Sequence, residues 1–217
     1  MIRCSSISKI MTKPQNKGDE FSKTAQSHML EVARERLFGV RKDLDDVKCI
    51  QKGKLLEDAG VDLYNRVFMY NLEKQPADSR RDNGIITGEP DLIATGSNKG
   101  VDIKVAWSLL TFPLTADQAG KKDYEWQARG YMCLFDLPEW EIAYCALDTP
   151  EELLSKWDNE DHHIIDPSIP DHHRITIAKF TRDREIEKTM LAKCAAANRW
   201  IDNAVKSFAS EHDEYIK

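Results

Sequence analysis

The chain has 217 residues, 41% of them hydrophobic and 31% charged, with a formal net charge of −6. That length fits one domain, and that composition supports a sizeable core and argues against long disorder. No run approaches the ~18 apolar residues of a membrane span, and net acidity is not the usual mark of a nucleic-acid binder.

The opening MIRCSSISKIMTKP is basic but lacks a continuous apolar stretch, so it does not read as a secretory signal. Five cysteines (Cys4, Cys49, Cys133, Cys145 and Cys194) form no C-x-x-C pair. An odd, dispersed set argues against a disulfide framework or zinc knuckles and for a reducing cytoplasm. Residues 1–54 hold twelve Lys/Arg against seven Asp/Glu, and the remainder nineteen against thirty. This asymmetry reads either as a charged helical surface or as a basic N-terminal arm beside an acidic, cation-binding body.

Ser22 or Thr24 can cap a helix through about Leu37, with Leu30, Ala33 and Leu37 on one stripe. A second helical pattern runs from about Val47 to Met69, where Gly53, Leu56, Glu57, Gly60, Leu63, Tyr64 and Val67 recur at three- and four-residue steps. A turn over 71–84 follows, punctuated by Pro76, Asn83 and Gly84. Ile85 to Ala94 and Val101 to Trp107 read as strands joined by a hairpin loop. Next come a helix from Asp123 to Phe135 and a buried strand from Glu141 to Leu147. Residues 150–174 suit a loop with one short helix, and Ile175 to Phe180 an edge strand. The last helix starts near Asp183, with Ile186, Met190, Cys194, Ala197, Ile201, Val205 and Phe208 on its stripe. The order implies a single α/β or α+β domain over 1–217, with a small mixed sheet flanked by helices. A basic helical part spans about 1–75, the sheet about 85–148, and a C-terminal loop and helix about 150–217.

The informative segment is GEPDLIATGSNKGVDIKVAW. Strand alternation puts Asp102, Lys104 and Ala106 on one face and Val101, Ile103, Val105 and Trp107 on the other, toward a core. If the two strands pair, Asp91, which follows Pro90, approaches Asp102. Neighbouring carboxylates repel, and a divalent cation cancels that cost. Glu57 adds a third carboxylate on a helix face shared with Gly53 and Gly60, where glycine permits close approach. Gln127 and Tyr131, four apart, share a helix face. A second acid-x-Lys triplet, Asp46-Val47-Lys48, has no preceding Pro-Asp and reads as a surface pair.

The ordered set of Glu57, Pro90-Asp91, Asp102-Ile103-Lys104 and Gln127-x-x-x-Tyr131 resembles the PD-(D/E)XK nuclease superfamily. More narrowly, it is similar to phage lambda-type (YqaJ-like) recombination exonucleases and RecB-like nuclease domains. Arg3-Cys4-Ser5-Ser6 is similar to the start of small phage-encoded members. The resemblance implies a restriction-endonuclease-like core and metal-dependent hydrolysis of linear double-stranded DNA from an end, 5′ to 3′, in phage recombination. It further implies catalytic roles for Glu57, Asp91, Asp102, Lys104, Gln127 and Tyr131. One or two Mg²⁺, replaceable by Mn²⁺, would be held by Glu57, Asp91, Asp102 and the backbone carbonyl of Ile103, an all-oxygen set that does not favour zinc. Arg3, Ser5 and Ser6 would hold a DNA phosphate. A ring of identical subunits, a single-strand annealing partner and residence in a bacterial host's cytoplasm are implied in the same way. With only Cys194 late in the chain, the iron–sulfur cluster of some RecB-like relatives is not expected.

Alternatives are an endonuclease of the same fold and a DNA-binding protein that has lost its chemistry. The pairs Asp161-His162-His163 and Asp171-His172-His173 hint at an HNH-type site, but the downstream Asn/His helix that such a site needs is missing. Solvated loop histidines are the plainer expectation.

Overall fold

The computed structural model describes residues 1–41, 46–76 and 78–213. Residue 77, inside the expected 71–84 turn, lies outside them. The strands are β1 (Ile2–Arg3), β2 (Arg81–Asp82), β3 (Ile86–Gly88), β4 (Leu92–Ala94), β5 (Lys99–Val105), β6 (Glu139–Cys145) and β7 (Ile175–Thr181). The helices are α1 (Ile7–Met11), α2 (Lys23–Phe38), α3 (Lys48–Leu55), α4 (Glu57–Phe68), α5 (Ala116–Ala119), α6 (Lys122–Phe135) and α7 (Arg184–Asp213).

The α/β class holds, but the single small sheet becomes two mixed sheets, ordered β1-β3-β2 and β4-β5-β6-β7. The expected strand Ile85–Ala94 is split at Glu89-Pro90-Asp91. Proline offers no ladder donor, so the chain leaves one sheet there and enters the other. The β4–β5 hairpin forms as expected, and β5 runs parallel to β6 from Lys99↔Glu139 to Val105↔Cys145. The β6 ladder therefore begins two residues earlier than the sequence pattern implies. β7 is an edge strand, as expected, and β4 forms the opposite edge.

Three other expectations change. The basic N-terminal arm is instead part of the core: Ile2, Ile7 and Ile10 are fully buried, and Ile2–Arg3 pairs in parallel with β3. The single helix from 47 to 69 breaks at Leu56 (φ −108°, ψ 9°) into α3 and α4. Each piece is anchored separately. Lys52 of α3 donates to the carbonyls of Trp107 (3.1 Å) and Leu147 (2.7 Å), whereas α4 lies on β5. Residues 150–174 hold three single 3₁₀ turns rather than one short helix.

The four-stranded sheet is covered on both faces. Ile2, Ile7, Met29, Met132, Trp140, Ile142, Met190 and Ile201 form the core beneath α1, α2, α6 and α7. Leu63, Tyr64, Val101, Ile103, Ala143 and Cys145 form the other, beneath α4. Burying each Val, Leu, Ile or Met side chain among them contributes about 1.5–3 kcal/mol. Gly60 is where α4 meets β5: a Cβ there would lie 2.6 Å from Ile103 Cγ2. Asp183 caps α7 by accepting from the N–H groups of Glu185 and Ile186. Among the described residues no helix is long and apolar enough to cross a membrane.

Candidate active site

The β4–β5 register pairs Leu92 with Val101. One step further along the ladder puts Asp91 opposite Asp102. The Ile103 N–H donates to Asp91 Oδ2 at 2.7 Å, fixing that carboxylate against the next strand. Asp102 is 1% exposed, and its Oδ2 is ion-paired with Lys104 Nζ. Glu57 occupies the first turn of α4, where the helix dipole favours an anion. The break at Leu56 creates that position.

These groups share one electrostatic environment. Burial, then the Asp102 carboxylate and more weakly Glu57, push Asp91 well above the usual carboxylate range; Lys104 and the Ile103 N–H oppose the rise. Burial also works against the Lys104 ammonium, but Asp102 and Asp91 outweigh it and hold its pKa above the ordinary lysine value. Lys104 is therefore a cation and a donor at neutral pH.

From α6, Gln127 Nε2 lies 3.5 Å from Asp102 Oδ1 and 3.4 Å from the Tyr131 hydroxyl. Tyr131 donates to the Glu89 carbonyl at 2.8 Å and stacks on Trp140, with ring centroids 4.7 Å apart. It thus pins the Glu89-Pro90-Asp91 corner. Gly88 permits this, since a Cβ there would lie 2.6 Å from Tyr131 Cε1.

Glu57 and Asp91 line two adjoining cavities. The first, about 490 Å³, also takes in Ile103 and Lys104; the second, about 350 Å³, takes in Arg3, Ser5, Arg41, Lys74, Arg80 and Tyr131. Of the three expected phosphate-binding residues, Arg3 and Ser5 line the second cavity and Ser6 does not. Arg3 is ion-paired with Glu35, Arg80 with Glu89 at 3.0 Å, and Lys74 with Glu57 at 3.0 Å. Lys74, Arg80 and Arg41 carry no sequence motif. Their place follows from the backbone path, as where the Gln75 N–H donates to the Asp91 carbonyl.

Among the described residues no three His, Cys, Asp or Glu side chains form a ready-made metal cage. The donor set nevertheless fits a hydrated hard cation. Mg²⁺ keeps several waters and needs only one or two carboxylates. Asp91 spends one acceptor position on the Ile103 N–H, and its pKa is raised by burial first and the Asp102 charge next, both of which a bound cation would offset. Asp91, Asp102, Glu57 and the Ile103 carbonyl are the groups that could hold it. No histidine of these pairs lines either cavity: His163 is buried, packed on Trp107 and hydrogen-bonded to Thr149, while His172 and His173 pack on each other at a 3₁₀ turn.

An acidic pair on a β-hairpin, a lysine two residues on and a helix carrying Gln-x-x-x-Tyr against them define a nuclease of the PD-(D/E)XK type. No family model and no curated protein matches the chain. A phage-related exonuclease from Haemophilus somnus 129PT is 30% identical over 95% of this chain and 96% of its own, with a TM-score of 0.87. The chain belongs to this family of phage-related exonucleases. The alkaline exonuclease LHK-Exo from Laribacter hongkongensis shares the fold at 14% identity and a TM-score of 0.74, over 99% of this chain and 94% of its own. Its complex with dAMP aligns over the same shares at 15% identity and a TM-score of 0.70.

Proposed function

We propose that this protein is a Mg²⁺-dependent deoxyribonuclease that digests linear duplex DNA from its ends, 5′ to 3′. The observation that carries this reading is the convergence of Asp91, Glu57 and Lys104 on one cavity, with Asp102 buried against them and ion-paired with Lys104.

Asp91 and Asp102, with Glu57 and the Ile103 carbonyl, would hold the cation, which supplies Lewis acidity to a water and to the scissile phosphate. Lys104 Nζ stays protonated. It donates to a phosphate oxygen, offsets the charge that develops there, and orients the attacking water rather than deprotonating it. Gln127 steadies Asp102, and Tyr131 holds the backbone that presents Asp91. The cations of the second cavity support the stated polarity. Arg3, Arg80, Lys74 and the Ser5 hydroxyl together suit the doubly charged phosphate at a 5′ end.

The test is a linear plasmid and its covalently closed circle, each incubated with Mg²⁺ or with chelator. Loss of the linear form alone, and only with Mg²⁺, is expected. Cutting of the circle would make the protein an endonuclease, and retarded but intact DNA would make it a binding protein.

A further inference from the structure

The first cavity continues past the acidic cluster into a region that the chemistry above does not use. In the parallel β5–β6 register Lys104 pairs with Tyr144, so both side chains stand on the same sheet face. Tyr124, from the first turn of α6, closes over them. Its ring centroid lies 5.4 Å from Lys104 Nζ and 6.1 Å from the Tyr144 ring, at 56°. Lys121, whose charge reaches the Tyr144 phenol, completes this end of the cavity. Lys121 forms no ion pair among the described residues. Burial, then the Tyr124 hydroxyl, push the Tyr144 phenol up to about 12, so it is a neutral ring at physiological pH.

We infer that this aromatic end of the cavity is a nucleobase subsite. It takes one unpaired base of the digested strand against Tyr144 and Tyr124, with the adjoining backbone phosphate near Lys121. The inference rests on the nuclease reading and adds to it a residue-level account of how the strand is seated. The Tyr144 ring offers a flat apolar face, as sequence-tolerant stacking requires, and Tyr124, inclined at 56° to it, walls the same end. Lys104 leans on one of those rings, so the base would sit directly beside the lysine that acts on the scissile phosphate. The second cavity, with its arginines and one aromatic, meets the first at Glu57 and Asp91, which line both. A strand crossing from one cavity to the other therefore passes over the carboxylates, with charge holding one end and stacking the other. Such seating requires the base to have left its pair before cleavage.

The test is single-turnover cleavage of linear duplexes with Mg²⁺, with an abasic residue placed at each of the first four nucleotides of the digested strand in turn. Wild type, Tyr144→Leu and Tyr144→Phe are compared. In wild type, one abasic position should slow cleavage about tenfold. Tyr144→Leu should slow the intact duplex by a similar factor and show no further loss at that position, because ring and base are coupled. Tyr144→Phe should behave as wild type. An even response of wild type across all four positions overturns the subsite, and so does independent multiplication of the two effects. Should Tyr144→Leu fail to fold, the wild-type scan alone still decides. If wild type cleaves nothing, the nuclease reading fails instead. Anisotropy of the same single strands in chelator then decides the subsite, through whether the abasic residue weakens binding to wild type but not to Tyr144→Leu.

Discussion

Asp91 and Ile103 are joined across the β4–β5 hairpin by one hydrogen bond, from the Ile103 N–H to Asp91 Oδ2 at 2.7 Å. The bond fixes the carboxylate one residue before Lys104, so the distance between acid and lysine depends on strand pairing rather than on a flexible loop.

Asp91→Asn tests the ligand role with little disturbance to the fold, because the amide oxygen still accepts from Ile103. The neutral side chain lacks the charge that a hard cation needs. Mg²⁺ affinity measured by calorimetry should fall at least about tenfold, equivalent to ~1.4 kcal/mol, with the unfolding midpoint nearly unchanged. Equal affinity in the two proteins would exclude Asp91 as a ligand.

Lys104→Ala has two consequences that can be separated. Removing the donor at the phosphate should cost about 10²–10³ in rate. It also strands Asp102, at 1% exposure, without its counter-charge. An unpaired buried charge of this kind costs about 3 kcal/mol of stability. Adding Asp102→Asn to Lys104→Ala should return much of that stability and none of the activity. Urea titration and nuclease assay on the single and double variants check both. A double variant no more stable than Lys104→Ala would remove the ion pair from the account.

Much of this site is legible in the sequence. Pro90-Asp91 and Asp102-x-Lys104 stand out because strand alternation and hairpin pairing are local rules. The α6 pair Gln127 and Tyr131 follows from helical spacing in the same way. Three features are not legible. The exit from one sheet into another at Pro90 depends on the N-terminal Ile2–Arg3 finding β3 across more than eighty residues. Tyr144 stands beside Lys104 only through a parallel register set by a crossover. The break at Leu56 interrupts no periodicity, since the apolar positions of α3 and α4 continue one pattern, and both helices meet β5 although α4 alone also packs on β6.

Gly60→Ala measures how tightly α4 must approach the β4–β5 hairpin. Alanine gains about 1 kcal/mol of intrinsic helix preference. Its Cβ would lie 2.6 Å from Ile103 Cγ2, a stiff branched side chain in a packed face. Overpacking there costs about 1–3 kcal/mol, so the net change should be destabilising by about 1 kcal/mol. Displacing Ile103 also disturbs the N–H that holds Asp91, so cleavage should slow as well. A variant as stable as wild type would show that the close contact relaxes without cost.

Lys52 gives the pH prediction. It is 1% exposed and donates hydrogen bonds to the carbonyls of Trp107 and Leu147. Burial lowers its pKa to about 8, with only Asp148 acting against the shift. An unfolded lysine titrates near 10.4. Below pH 8 both states carry the proton, and the folded state bears the full penalty of a buried ammonium. Between about pH 8 and 10.4 the folded protein has released the proton while the unfolded chain still binds it. Stability therefore rises with pH across that window, by about 2–3 kcal/mol from this group. The neutral amine keeps donors for both carbonyls, so α3 stays anchored. Lys52→Met lacks the titration and serves as the reference. Urea unfolding of the two proteins from pH 7 to 10.5 should show wild type gaining on the variant as pH rises. Parallel profiles would mean that Lys52 stays protonated in the fold, stabilised by the strand-end carbonyls more strongly than its burial opposes.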